Sequence, residues 1–186
     1  VVRIHHLPPE DKRQDILTRQ GKVLLPVMVT RLIAERRRMA TLLRHVHETY
    51  ASGRYLMVIS ERLSLLHAMH KALPDSYSVG LYVGGMAAEA RDESATKRIV
   101  LATYSMCAEG LDIPRLDTLL LATPRSNVEQ SLGRILRLHP DKATPRVLDV
   151  VDDFSVFQGM AHQRRKLYRK HGFTVRDEGD GVEPAA

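Results

Sequence analysis

The chain is most constrained by five short runs, apolar nearly throughout, separated by longer stretches of helical periodicity. They are residues 54–60 (RYLMVIS), 78–83 (SVGLYV), 98–103 (RIVLAT), 117–123 (DTLLLAT) and 146–151 (RVLDVV). A strand that is apolar at successive positions is covered on both faces, as in a parallel sheet with helices crossing on each side. The intervening stretches 61–73, 86–93, 128–137 and 155–170 read as those helices, bounded mostly by Gly, Pro, Asp or Ser. Upstream, 1–7 reads as one more strand, 10–19 as a short helix, and 24–50 as a long helical stretch that breaks near Arg36. The pattern predicts an α/β fold with a mainly parallel central sheet. It divides into a lead-in over 1–52, a main domain over 53–176 and an acidic, frayed tail over 177–186.

Composition narrows the class further. Across 186 residues, 44% hydrophobic content fills one core, and Lys and Arg exceed Asp and Glu by six charges. That surplus suits a polyanionic partner. A single cysteine, Cys107, excludes an intrachain disulfide and a Cys-rich zinc site, and points to an intracellular protein. No apolar run approaches the roughly 18 residues of a membrane span.

In an open parallel sheet, ligands bind beyond the carboxyl ends of the strands. The residues at those ends are Ser60, Gly84, Thr103 with Tyr104 and Ser105, Thr123 with Pro124, and Asp152. The most informative helix is 128–137, VEQSLGRILR. At about 100° per residue, Val128, Leu132, Ile135 and Leu136 share an apolar face, leaving Gln130, Arg134 and Arg137 in a stripe opposite. Gly133 lies beside that stripe, where glycine costs a helix about 1 kcal/mol against alanine. It suits the close approach of something large. Two guanidiniums and an amide in a row can grip a phosphate, although an ordinary solvated basic face explains the stripe equally well on these residues alone.

The surrounding sequence adds a resemblance. Residues 100–124, VLATYSMCAEGLDIPRLDTLLLATP, run directly into RSNVEQSLGRILR. Together they resemble motifs V and VI of the superfamily 2 helicases: a strand ending in Thr, then EGxDxP, then QxxGRxxR. LMVISERLSLLHAM at 56–69 resembles motif IV, and GLYVGGM matches the strand and turn that separate motifs IV and V. The wording TYSMCAEGLDIP, GRILR and RVLDVVDDFSVF is most similar to viral and phage-type DNA helicases. The resemblance covers about 53–170.

It implies a RecA-like three-layer domain, the second of a two-domain motor. Gln130, Arg134 and Arg137 then match the motif VI residues that reach a triphosphate held by the first domain, the arginines as arginine fingers. Gly110 and Asp112, with Gly133, match residues lining the nucleotide cleft. Thr103, Tyr104 and Ser105 match motif V strand contacts, and Ser60 and Arg62 the motif IV region on the nucleic-acid side. The implied cofactors are ATP and Mg2+, bound mainly by the first domain. The implied partners are that N-terminal RecA-like domain and DNA, with RNA the second candidate.

No GxxxxGK[ST] phosphate loop is present, since Gly21–Lys22 is followed by Val23, and no strand delivers a DExD or DExH box. The chain therefore reads as the C-terminal half of a longer protein, inactive as an ATPase alone. The alternative is a helicase-derived module that binds nucleic acid or a partner without catalysis. The apolar strand within VLDVVDDF, ending in Asp152 and Asp153, imitates a magnesium-binding strand end but reads as structural. Arg36, Arg37 and Arg38 read as a solvated face. The histidines lack a ligand set for a metal, and Cys107 reads as a packing residue. With six tyrosines, three phenylalanines and no tryptophan, strand contacts should go to phosphates.

Overall fold

The computed structural model describes residues 1–109 and 111–179. Seven parallel strands form one sheet: β1 (Val2–His6), β2 (Leu56–Ser60), β3 (Val79–Tyr82), β4 (Ile99–Thr103), β5 (Thr118–Leu121), β6 (Arg146–Asp152) and β7 (Arg176–Gly179). Their order is β3-β4-β2-β5-β6-β1-β7. The helices are α1 (Leu25–Ile33), α2 (Arg36–Ala51), α3 (Leu63–Ala72), α4 (Ala88–Ala95), α5 (Tyr104–Ala108), α6 (Glu129–Ile135) and α7 (Ser155–Lys170).

The near-continuous apolar runs have a direct cause. Successive strand side chains point to opposite faces, and both faces are covered. Leu56 and Val58 pack with Leu42, Val46 and Leu66 of α2 and α3. Met57 and Ile59 pack with Leu132 and Ile135 of α6 and Tyr168 of α7 on the other side. A smaller cluster joins Met28, Val29 and Leu32 of α1 to Phe154 and Phe157 at the start of α7.

Three expectations need correction. The stretch 10–19 forms only a 3-10 turn, Glu10–Lys12. Thereafter Leu17 bridges antiparallel to Val23, and Gly21 adopts φ 75°, a left-handed conformation that glycine adopts readily. The Thr18 hydroxyl accepts the Gln20 and Lys22 amides, an alternative to helical bonding. The second correction concerns the chain after Asp177. Arg176–Gly179 pairs with β1 instead of fraying, and Arg3 and His5 both bind the Asp177 carboxylate, at 2.7 and 2.8 Å. Residues 180–186 lie outside the described residues. The lead-in strand is thus an internal member of the sheet, with β6 on one side and β7 on the other.

The third concerns the arginine run. Helix α2 starts at Arg36, as the pattern suggested, because Glu35 caps it by accepting the Arg37 and Arg38 amides. Arg38 is not solvated, however, but 1% exposed. It donates to both oxygens of Asp152, at 2.8 and 3.1 Å, and to the Ala122 carbonyl at 2.8 Å. No described helix is long and apolar enough to cross a membrane.

Candidate functional site at the carboxyl edge of the sheet

Strands β2 and β4 end side by side, with Ser60 in register with Thr103. Ser60 is buried, and its hydroxyl accepts the Arg62 amide at 2.8 Å, turning the chain into α3. Arg62 leans away toward α1 and donates to the Pro26 carbonyl at 2.7 Å. Thr103 caps α5 by accepting the Met106 amide and lies 3.1 Å from the exposed Ser105 hydroxyl. Tyr104 points inward. Its hydroxyl donates to the Thr123 carbonyl at 3.0 Å, and burial pushes its pKa far above the usual phenol value. Neither Ser60 nor Tyr104 presents surface to a strand; each shapes the edge from beneath.

The guanidinium of Arg125 stacks 4.7 Å above the Tyr104 ring and pairs with Glu61 at 3.6 Å. Tyr104 and Arg125, with Asn127, Gln130 and Ser131, line a cleft of about 270 Å³. Arg125 was not singled out from the sequence, although its place two residues after the strand-end Thr123 was the available signal. Its backbone is fixed from below, where Arg164 donates to the Arg125 carbonyl at 2.9 Å. Arg164 also forms a buried pair with Asp149, to which Tyr168 donates at 2.9 Å.

Helix α6 buries Leu132 and Ile135 and leaves Gln130 and Gly133 exposed. It is shorter than the periodicity implied, ending at Ile135, so Arg137 stands beyond its last turn. Even so, both arginines converge on one loop. Arg134 donates to the Cys107 carbonyl at 2.9 Å and the Ala108 carbonyl at 3.1 Å. Those carbonyls end α5 without helical partners, a natural place for a cation. Arg137 pairs with Asp112 across the same loop. Gly110, between these contacts in sequence, lies outside the described residues. A Cβ on Gly133 would meet nothing within 4 Å, so the space over this helix face is open.

The competing acidic site is accounted for. Asp152 is held by Arg38, and Asp153 accepts from His5 at 2.6 Å. Cys107 is buried, which raises its thiol pKa, and its sulfur lies 3.7 Å from the Ser131 hydroxyl. Among the described residues no group of three or more His, Cys, Asp or Glu could hold a metal ion.

Over 153 residues, 80% of its length, the chain is 33% identical to a protein of Acanthamoeba polyphaga mimivirus named "Putative ATP-dependent RNA helicase". The chain is a RecA-like domain homologous to viral helicases. A protein of the same designation from African swine fever virus is 28% identical over 130 residues, 64% of the chain. This helicase domain spans 30% of the length of the first relative and 26% of the second. Among solved structures, T4 UvsW superposes over 96% of the domain and 41% of its own chain, with a TM-score of 0.74 at 18% identity. The C-terminal domain of the DEAD-box protein Dbp5 matches 75% of it and 84% of its own chain, with a TM-score of 0.56 at 13% identity. No family model matches. The superfamily and the RecA-like fold expected from motifs IV to VI are thus borne out.

Proposed function

We propose that this chain is the second motor domain of an ATP-dependent nucleic-acid helicase or translocase. The observation that carries the reading is the convergence of Arg134 and Arg137 on the 107–112 loop, beside an open helix face. In this reading Arg134 and Arg137 are the arginine fingers, and Gln130 lies beside them on the exposed side of α6. ATP and Mg2+ are held mainly by a first motor domain carrying the phosphate loop. The guanidiniums suit a polyanion: at rest they bind neutral carbonyls and one exposed carboxylate, contacts that phosphate oxygens can replace. Their contribution is to neutralise charge spreading over the transferred phosphoryl group.

The same contacts tie the nucleotide side to the strand side. Helix α5 begins at Thr103 and Ser105, which face the proposed track, and ends at the carbonyls that hold Arg134. A movement of Arg134 toward nucleotide therefore pulls on the element that carries the strand contacts. The track is a phosphate backbone, DNA or RNA, read without sequence preference.

The purified chain should show no ATP turnover above background, with or without nucleic acid, because the phosphate loop supplies the main nucleotide-binding energy. Turnover that persists in an Arg134→Ala variant of the chain would overturn the proposal.

A further inference from the structure

Helix α7 carries a charge pattern that the cleft does not use. Its sequence, SVFQGMAHQRRKLYRK, contains three arginines, two lysines and one histidine, with no acidic residue. Phe157, Ala161, Arg164 and Tyr168 face the core. On the opposite side Gly159, His162, Gln163, Lys166, Arg169 and Lys170 are exposed. Arg164 and Arg165 are neutralised by Asp149 and Asp177, and Lys170 by Glu129. The side chains of His162, Lys166 and Arg169, spaced i, i+4, i+7, make no hydrogen bond or ion pair among the described residues.

The stripe lies on the same face of the sheet as α6. Tyr168 shares a core cluster with Leu132 and Ile135, and Glu129 of α6 binds both Lys170 and His171, at 3.0 and 3.2 Å. We propose that the outer face of α7 is a second nucleic-acid contact surface, gripping the phosphate backbone beside the motor cleft. Lys166 and Arg169 are its principal contacts, with His162 beside them. Charge complementarity identifies the occupant. A membrane surface is disfavoured because an interfacial helix also needs a large apolar face to insert, and this exposed face has none. Lys166 and Arg169, one turn apart on this face, are two cations that can follow successive phosphates of one strand.

The proposal stands apart from the ATP chemistry, so its test uses no nucleotide. Binding of the purified chain to a labelled 20-nucleotide strand and to a duplex would be followed by anisotropy across a salt series. Lys166→Gln/Arg169→Gln should weaken both about tenfold at low salt and reduce the log–log salt slope by about two. Lys166→Arg/Arg169→Lys should retain binding, and melting temperatures should match throughout. A control of equal charge change elsewhere, Lys22→Gln/Lys71→Gln, should have little effect. Unchanged affinity and slope in the α7 variant would overturn the proposal, as would an equal loss in the control. A loss confined to polyglutamate binding would instead assign the stripe to an acidic protein, and would also overturn it.

Discussion

Arg38 shows how a single side chain can be misjudged from its neighbours. Beside Arg36 and Arg37 it looks like part of a solvated patch, yet one turn into α2 it lies inside and meets Asp152 at the end of β6. The two acids at the end of this strand are both engaged by cationic or imidazole partners, Asp152 by Arg38 and Asp153 by His5. Asp152→Ala should leave a guanidinium buried without its counter-charge, a loss of about 3–5 kcal/mol and on the order of 10 °C in melting temperature. The double variant Arg38→Met/Asp152→Ala should recover most of that, since the orphaned charge is gone. Thermal melts of the three proteins check this. A single variant as stable as the native chain would return Asp152 to the list of functional candidates.

At the scale of the element, β7 depends on charge more than on apolar packing, since all four of its residues are exposed. Burial lowers the pKa of His5, but the bonds to Asp177 and Asp153 outweigh it and raise the net value, while Arg3 opposes them. The His5 bond, against slight burial, together with Arg3 and Arg165, holds the Asp177 carboxyl below its usual range. A raised histidine pKa stabilises the fold fully below the ordinary value of about 6.5 and ceases to do so as pH rises through the folded value. The melting-temperature difference between the native chain and His5→Gln should therefore be largest near pH 6 and shrink toward pH 9. A difference that grows with pH would contradict this account.

The parallel strands were legible because burial on both faces writes an unbroken apolar run, whereas the stripe of Gln130, Arg134 and Arg137 stood out from a solvated face only through its resemblance to a helicase motif. Strand β7 was not legible. RDEG has no apolar signature, and its partners His5 and Arg3 lie more than 170 positions away in sequence. The end of α6 was misplaced for a related reason. Apolar periodicity continues through Leu136, but the chain turns there to bring Arg137 to Asp112, a tertiary contact without a local trace. Arg125 was visible in position but not in role, because its role comes from stacking on a tyrosine two strands away.

For the molecule as a whole, the polar strand-end residues gather at the carboxyl edge of the sheet, while α7 extends a basic face on the α6 side. The apolar side of α6 is committed to the core, so the arginines can be changed without emptying the interior. In the proposed motor, Arg134 and Arg137 act on a nucleotide held by the first domain. The measurement that tests this claim most directly is nucleic-acid-stimulated ATPase activity of the protein containing both motor domains, read beside nucleotide affinity and melting temperature. Arg134→Ala and Arg137→Ala should each lower turnover by roughly 10³ to 10⁵ with nucleotide binding and melting largely unchanged. Lysine at either position should restore little, because a point charge does not reproduce the planar fork. Full turnover in both alanine variants, or unfolding of the domain, would contradict the claim.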